Sequence, residues 1–257
     1  RRAAIIASID EQGKLTDALR AQLDAAATKQ ALEDLYLPYK PKRRTKAQIA
    51  IEAGLEPLAN ALLADPTLDP QAEGAKYIKV VPASEGVEAI NIADAKAALD
   101  GARDILAERF AETAELLAKL RTRLQNEGIL SSTVVKDKES AEEEKFRDYY
   151  AYSEPIRSIP SHRALALFRG RALGVLSVQL GLGEELEAAV PHPCVAMIAQ
   201  HFGLEDRGRA ADKWLQSVCH WTWKVKAQMH ISSELMIQLR EAAEAEAIKI
   251  FGRNLHD

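Results

Sequence analysis

The feature that most constrains this fold is a helical period running from about residue 209 to residue 255. Trp214, Val218, Trp221, Val225, Gln228, Ser232, Met236, Leu239, Ala243, Ala247 and Ile250 recur at three- and four-residue steps. That spacing puts them on one face of an α-helix. If unbroken, its 47 residues at ~1.5 Å each span roughly 70 Å, more than one domain needs. Such a helix is expected to carry one domain toward another, with Ile231, Ser232 and Ser233 as the expected place for a break or recap. Trp214, Trp221 and Trp223 read as core or helix-seam residues, not as stacking platforms.

The rest of the chain carries shorter pieces of the same pattern. Residues 1–34 read as helix interrupted near Gly13, with Ile5, Ile6 and Ile9, then Leu15, Leu19, Leu23 and Leu32, at helical spacings. Thr45 is placed to cap a short helix through Ala53, Gly54 to end it, and Pro57 to start the next. A turn cluster follows at 65–70, and a loop is expected across 80–86. One amphipathic run covers 92–126, striped by Leu99, Ala102, Leu106, Phe110, Leu117, Leu120 and Leu124. Short helices joined at Gly54 match helix-turn-helix packing. Residues 129–135 are rich in β-branched side chains, and 173–180 alternate well enough to pair with them as a small two-stranded ladder. A charged segment at 137–148 reads as a solvated helix, and Ser158 or Ser161 is placed to cap a helix over 163–168. With 47% hydrophobic residues, 28% charged and only 13 glycines among 257, the fold class is mainly α. The expected architecture is a multi-helix assembly with a helix-turn-helix-like element, a long C-terminal helix and one small β ladder. The natural divisions are 1–64, 65–128 and 129–257.

One stretch does not belong to this pattern. Residues 35–46 read LYLPYKPKRRTK. Pro38 and Pro41 remove backbone donors and push the residues before them toward extended geometry, so no helix runs through. Tyr36, Leu37 and Tyr39 can be tucked into a core, while Lys40, Lys42, Arg43, Arg44 and Lys46 must point outward. Aromatics beside a basic run suit a polyanion, although a solvated loop over buried tyrosines fits the same residues. The whole chain has 34 basic and 38 acidic residues, net −4. Without these five cations the remainder stands at 29 against 38, so any basic surface is local and set on an acidic body. A second basic run, RSIPSHRALALFRGR at 157–171, holds Arg157, Arg163, Arg169, Arg171 and His162 with no acid among them. Guanidinium forks suit phosphates or carboxylates, and pairing with the acidic run just upstream suits them equally.

Catalytic and metal chemistry is thin. His192-Pro-Cys194 and Cys219-His220 lack the i, i+3 or i, i+4 spacing of metal ligands, so no metal is expected and the cysteines read as small hydrophobes. Gly181-Leu-Gly183 lacks a third glycine, no Gly-x-Ser-x-Gly elbow or phosphate-binding glycine loop occurs, and Glu142, Glu143 and Glu144 fan around a helix. No enzyme site and no cofactor are expected. Two cysteines make no disulfide framework, and no apolar run approaches the ~20 residues that span a membrane. A cytoplasmic setting without membrane attachment follows. The first residues begin as if inside a helix and no initiator Met is present, so the chain reads as an excerpt of a longer protein.

Together, LYLPYKPKRRTK at 35–46, KFRDYY at 145–150, RSIPSHRALALFRG at 157–170 and AIKIFGRNL at 247–255 resemble the Tex family of bacterial transcription accessory proteins. The resemblance covers essentially the whole chain. It implies the helical N-terminal portion of a multidomain protein, with a helix-turn-helix-like element and long scaffolding helices. In that family an RNase-H-like domain, helix-hairpin-helix elements and an OB-fold RNA-binding domain follow. The expected function is therefore non-catalytic, phosphate-backbone binding of RNA or DNA in transcription. Lys40, Lys42, Arg43, Arg44 and Lys46 would neutralise phosphates, with Arg163, Arg169 and Arg171 extending the track. The alternative is a helical scaffold that positions nucleic-acid-binding domains and docks RNA polymerase or other transcription or translation machinery, its basic loops paired internally. If all five loop cations touch duplex DNA, log K should fall against log salt with a slope of about −4.5; an unchanged slope after their replacement by Gln contradicts that placement.

Overall fold

Hydroxyl and carboxylate caps start most of the helices that open the chain. The computed structural model describes residues 1–83, 89–135 and 144–254. Helix α1 (Arg2–Glu11) is followed by α2 (Asp17–Ala25), capped by Thr16, and α3 (Lys29–Tyr36), capped by Thr28. Their apolar faces meet in a small cluster of Ile5, Ile9, Leu19, Leu23, Leu32 and Tyr36. Thr45 caps α4 (Lys46–Glu52), Gly54 closes it at φ +85°, and α5 (Glu56–Ala64) begins with Pro57 in its first turn. Asp69 caps α6 (Pro70–Ala75). Strands β1 (Lys79–Val81) and β2 (Ile90–Ile92) pair antiparallel. The expected loop at 80–86 is thus partly strand, and residues 84–86 lie outside the described residues.

The run at 92–126 is two helices, not one: α7 (Ala95–Ala111) and α8 (Ala114–Glu127). The chain leaves helical geometry at Glu112 (φ −104°), and the carbonyl of Thr113 accepts from Leu117 N as the second helix starts. Next come β3 (Ile129–Val134), β4 (Ala151–Pro155), α9 (Ser161–Ala172), β5 (Leu176–Gly181), α10 (Glu184–Glu187) and α11 (Pro193–His201). The predicted pairing of β3 with β5 is present and antiparallel, with Leu130 opposite Leu180 and Ser132 opposite Val178, all buried. β4 adds an unanticipated third strand on the other edge of β3. Pro160 is the N-cap of α9 and no side chain caps the helix, so neither Ser158 nor Ser161 takes that role. Of the charged segment at 137–148, residues 137–143 lie outside the described residues, and Glu144–Tyr149 is a 3-10 turn.

The long C-terminal pattern forms α12 (Asp212–Trp221), a π-helical turn (Thr222–Ala227) and α13 (Gln228–Asn254). The irregularity falls at the π turn, where Thr222 Oγ1 bonds the Val218 carbonyl, not at Ile231–Ser233. A π turn shifts the helical phase. The stripe accordingly slips, leaving Val225 exposed and burying Trp223, Ala227, Ile231 and Leu235. Ser232 donates to the Leu180 carbonyl at 3.2 Å instead of interrupting the helix. None of the helices searched among the described residues is long and apolar enough to cross a membrane.

The residues group into two compact units, Arg1–Ala118 with Cys194–Ala227 and Lys119–Pro193 with Gln228–Asp257. In the first, α7 is the central element, with Ala98, Leu99, Ala102, Ile105, Leu106 and Phe110 buried. Phe110 stacks on Phe202 with centroids 3.9 Å apart, and Trp221 Nε1 donates to Asp104 while the Arg103 guanidinium lies 3.9 Å from the indole ring. Trp223 is a core residue and Trp221 a helix-seam residue, as read from their spacing, and Trp214 is half-buried. Cys194 and Cys219 are buried, and burial pushes the Cys219 thiol up to about 12. Asp212 ties down the preceding loop: it accepts from Arg207 N (2.8 Å), Arg209 N (2.9 Å) and Arg209 Nε (3.0 Å). In the second unit, α9 and α13 pack on the three-stranded sheet, and Arg121 meets Glu234 at 2.5 and 3.1 Å with side chains only 9% and 14% exposed.

Two stability effects follow. The hydrogen bonds from Arg209 hold the Asp212 carboxyl down at about 2, below its usual 3.8. Its contribution is therefore complete above about pH 4 and lost as pH falls through about 2. Asp212→Asn should lower stability at pH 6, measured by urea unfolding, and the gap to the parent protein should close between pH 4 and 2. Glu234→Gln should lower stability by up to about 3 kcal/mol by removing the carboxylate charge that faces the buried Arg121, and replacing both residues by Met should restore much of the loss.

Candidate nucleic-acid interface

The basic loop is anchored from behind. Helix α3 runs into a 3-10 turn at Leu37–Tyr39, where Pro38 sits early and Lys40 N still reaches the Tyr36 carbonyl at 3.0 Å. Tyr36 is buried, its hydroxyl 3.1 Å from Ser8 Oγ, and Tyr39 packs against the same cluster while its carbonyl accepts from Gln12. With the aromatic bodies held inside, all five cations of the loop are exposed.

The five do not share one environment. Lys42 Nζ reaches the carboxylates of both Glu108, at 3.6 Å, and Glu112, where the contact is a direct hydrogen bond. Glu108 also accepts from Thr45 Oγ1 and meets Lys226 Nζ at 3.6 Å. Arg44 donates through Nε and Nη2 to Glu52 on α4. Lys40, Arg43 and Lys46 make no ion pair among the described residues. Lys46 occupies the first position of α4, where the helix dipole disfavours a cation. A groove of about 640 Å³ opens beside it, floored by Ile49, Leu55, Ile90 and Gly101. Sequence reasoning missed Glu108 and Glu112. Their i, i+4 spacing was the available signal, because two carboxylates one turn apart repel unless a cation lies between them.

The other three predicted contacts lie on α9, in the second unit, and α9 does not bring them together. Arg169 and Arg171 are two residues apart and leave the helix on opposite sides. Arg163 donates to Glu154 at 3.3 Å, and that carboxylate also accepts from Tyr152 Oη. Arg171 donates to Met236 Sδ at 3.6 Å. Arg169 makes no ion pair among the described residues and lines a pocket with Lys145 and His162.

Two opposing effects set the Glu112 carboxyl. Burial raises it above its usual value, and the hydrogen bond from Lys42 opposes that rise. Removing Lys42 should therefore move the Glu112 titration further up, followed by side-chain carbon NMR of the Lys42→Ala protein; an unmoved titration would show that Lys42 does not engage Glu112 in solution.

A family model described as Tex central region-like matches residues 65–251. The chain is similar to Protein tex of Bordetella pertussis, 54% identical over 261 residues that cover 99% of this chain and 32% of that protein. Protein YhgF of Escherichia coli is 53% identical over 258 residues, covering 100% and 32%. A Neisseria gonorrhoeae protein named Transcriptional accessory protein Tex is 48% identical over 258 residues, with the same coverage. The chain thus spans about a third of the length of the curated relatives it matches.

Proposed function

The chain belongs to the Tex family, and from that premise we propose that it is a helical scaffold region of a transcription accessory protein, without catalysis of its own. Its role is to hold neighbouring domains in place and to offer surfaces to the transcription machinery, RNA polymerase among the candidates, in the cytoplasm. The observation that carries this reading is Lys42 set between Glu108 and Glu112. With Arg44 on Glu52, it turns the most basic part of the loop into an internal clamp on α4 and α7. The name carried by the gonococcal relative supports the link to transcription.

A second role has its own support. Lys40, Arg43 and Lys46 stay exposed and make no ion pair among the described residues, so they can contact phosphates of RNA or DNA without reading sequence. The track is then three cations, not the eight expected from the two basic runs. Three contacts correspond to a salt slope of about −2.7 on duplex and about −2.1 on a single strand.

The two roles separate by substitution. Replacing Lys40, Arg43 and Lys46 together by Gln should flatten the salt dependence of binding to labelled oligonucleotides and leave the melting temperature unchanged. Replacing Lys42 and Arg44 by Gln should lower the melting temperature and leave the slope alone. The opposite assignment of effects would overturn the clamp.

A further inference from the structure

Helix α9 and the 3-10 turn Glu144–Tyr149 enclose a pocket of about 350 Å³ in the second unit. Its floor is carbon: Phe146 from the turn, Leu165 from the helix, and Leu173, which caps the helix and is 46% exposed. Lys145 and Arg169 make its rim positive, and His162 lies beside them. His162, Leu165 and Arg169 stand at i, i+3 and i+7, so one helix face supplies both floor and rim.

The wall is held firmly. Gly170 lets the turn and β5 press against α9: a Cβ there would lie 2.6 Å from Leu176 Cδ1 and 3.1 Å from Phe146 Cδ1. Phe146 is buried as a result. The rim differs from the rest of this basic run. Arg163 and Arg171 are engaged by Glu154 and Met236, whereas Lys145, His162 and Arg169 have no ion pair among the described residues, and none of the described residues lining the pocket is acidic.

The geometry points to a binding site for an acidic peptide segment of a partner protein, with one apolar side chain on the floor and flanking carboxylates on the rim. The charge of the rim selects an anionic ligand. The floor favours a peptide over a nucleic acid. Phe146 is buried and offers no open ring face on which a base could stack, while an apolar side chain needs only the carbon that Leu165 and Leu173 present. Lys145 and Arg169 also line one concavity instead of following a phosphate backbone. The volume lies near the lower end of the ~300–1,000 Å³ range of ligand pockets, enough for one side chain and its neighbours. This deepens the scaffold reading by naming the chemistry of a partner. Its test uses residues remote in sequence from the Lys42 clamp, so either can fail alone.

Fluorescence anisotropy with a labelled Asp-Asp-Leu-Glu-Asp peptide decides it. The expected result is saturable binding below about 1 mM that weakens about fivefold or more in Arg169→Gln and in Lys145→Gln. Changing the peptide leucine to serine should weaken it at least as much. Both substituted residues are exposed, so an unchanged melting temperature will confirm that the variants are folded. Equal binding of the serine peptide, binding indifferent to both substitutions, tighter binding of oligouridylate displaced by the same substitutions, or no binding at 1 mM would each overturn the assignment.

Discussion

Lys42 lies where two carboxylates one helical turn apart would otherwise repel. Glu108 lies in the last turn of α7 and Glu112 caps its C-terminus, and on that helix α4, α5, α6 and α12 of the first unit all pack. The loop that bears Lys42 is held at its other side by Tyr36 and Tyr39 in the small N-terminal cluster. One ammonium group thereby ties that cluster to the main core of its unit. Burial of Glu112 makes the arrangement depend on its cation, since desolvation already disfavours the charged carboxylate. The cost of clustering basic residues on a proline-broken loop is offset by acids supplied from a helix more than sixty residues later in the chain.

The second unit solves its own problem differently. A three-stranded sheet with one buried face needs a cover, and α9 and α13 provide it. Gly170 allows α9 to approach β5 within side-chain contact, and Ser232 fastens α13 to the end of β5 through the Leu180 carbonyl. Arg121 and Glu234 add a largely buried ion pair between α8 and α13, which contributes specificity of placement more than net stability. The arginines of α9 are divided by this packing. Two serve neighbouring side chains, and the third is left beside an apolar pocket.

Much of the fold was legible because it rests on local rules. Thr45, Gly54 and Pro57 predicted the α4–α5 pair through capping and left-handed turn geometry, and the alternation of Leu176, Val178 and Leu180 predicted the strand facing β3. What escaped were features decided by partners distant in sequence. β4 is five residues with charged and aromatic side chains, and only its pairing with β3 makes it a strand. The break at Glu112–Thr113 and the π turn at Thr222–Ala227 interrupt runs whose apolar spacing is nearly continuous, so periodicity alone could not place them. The candidate site shows the same division. The five loop cations were correctly read as exposed, since charge cannot be buried cheaply. Which of them are already neutralised depends on Glu52, Glu108 and Glu112, and no local pattern in 35–46 announces those partners.

The central claim is that the basic loop is an internal clamp. A double-mutant cycle tests it most directly, with Lys42→Ala, Glu112→Ala and the pair measured by urea unfolding. A coupling energy of about 0.5–1 kcal/mol is expected, the size of a well-placed pair with partial exposure. Additive effects with no coupling would mean that Lys42 is an exposed loop cation, and the scaffold reading built on it would fall.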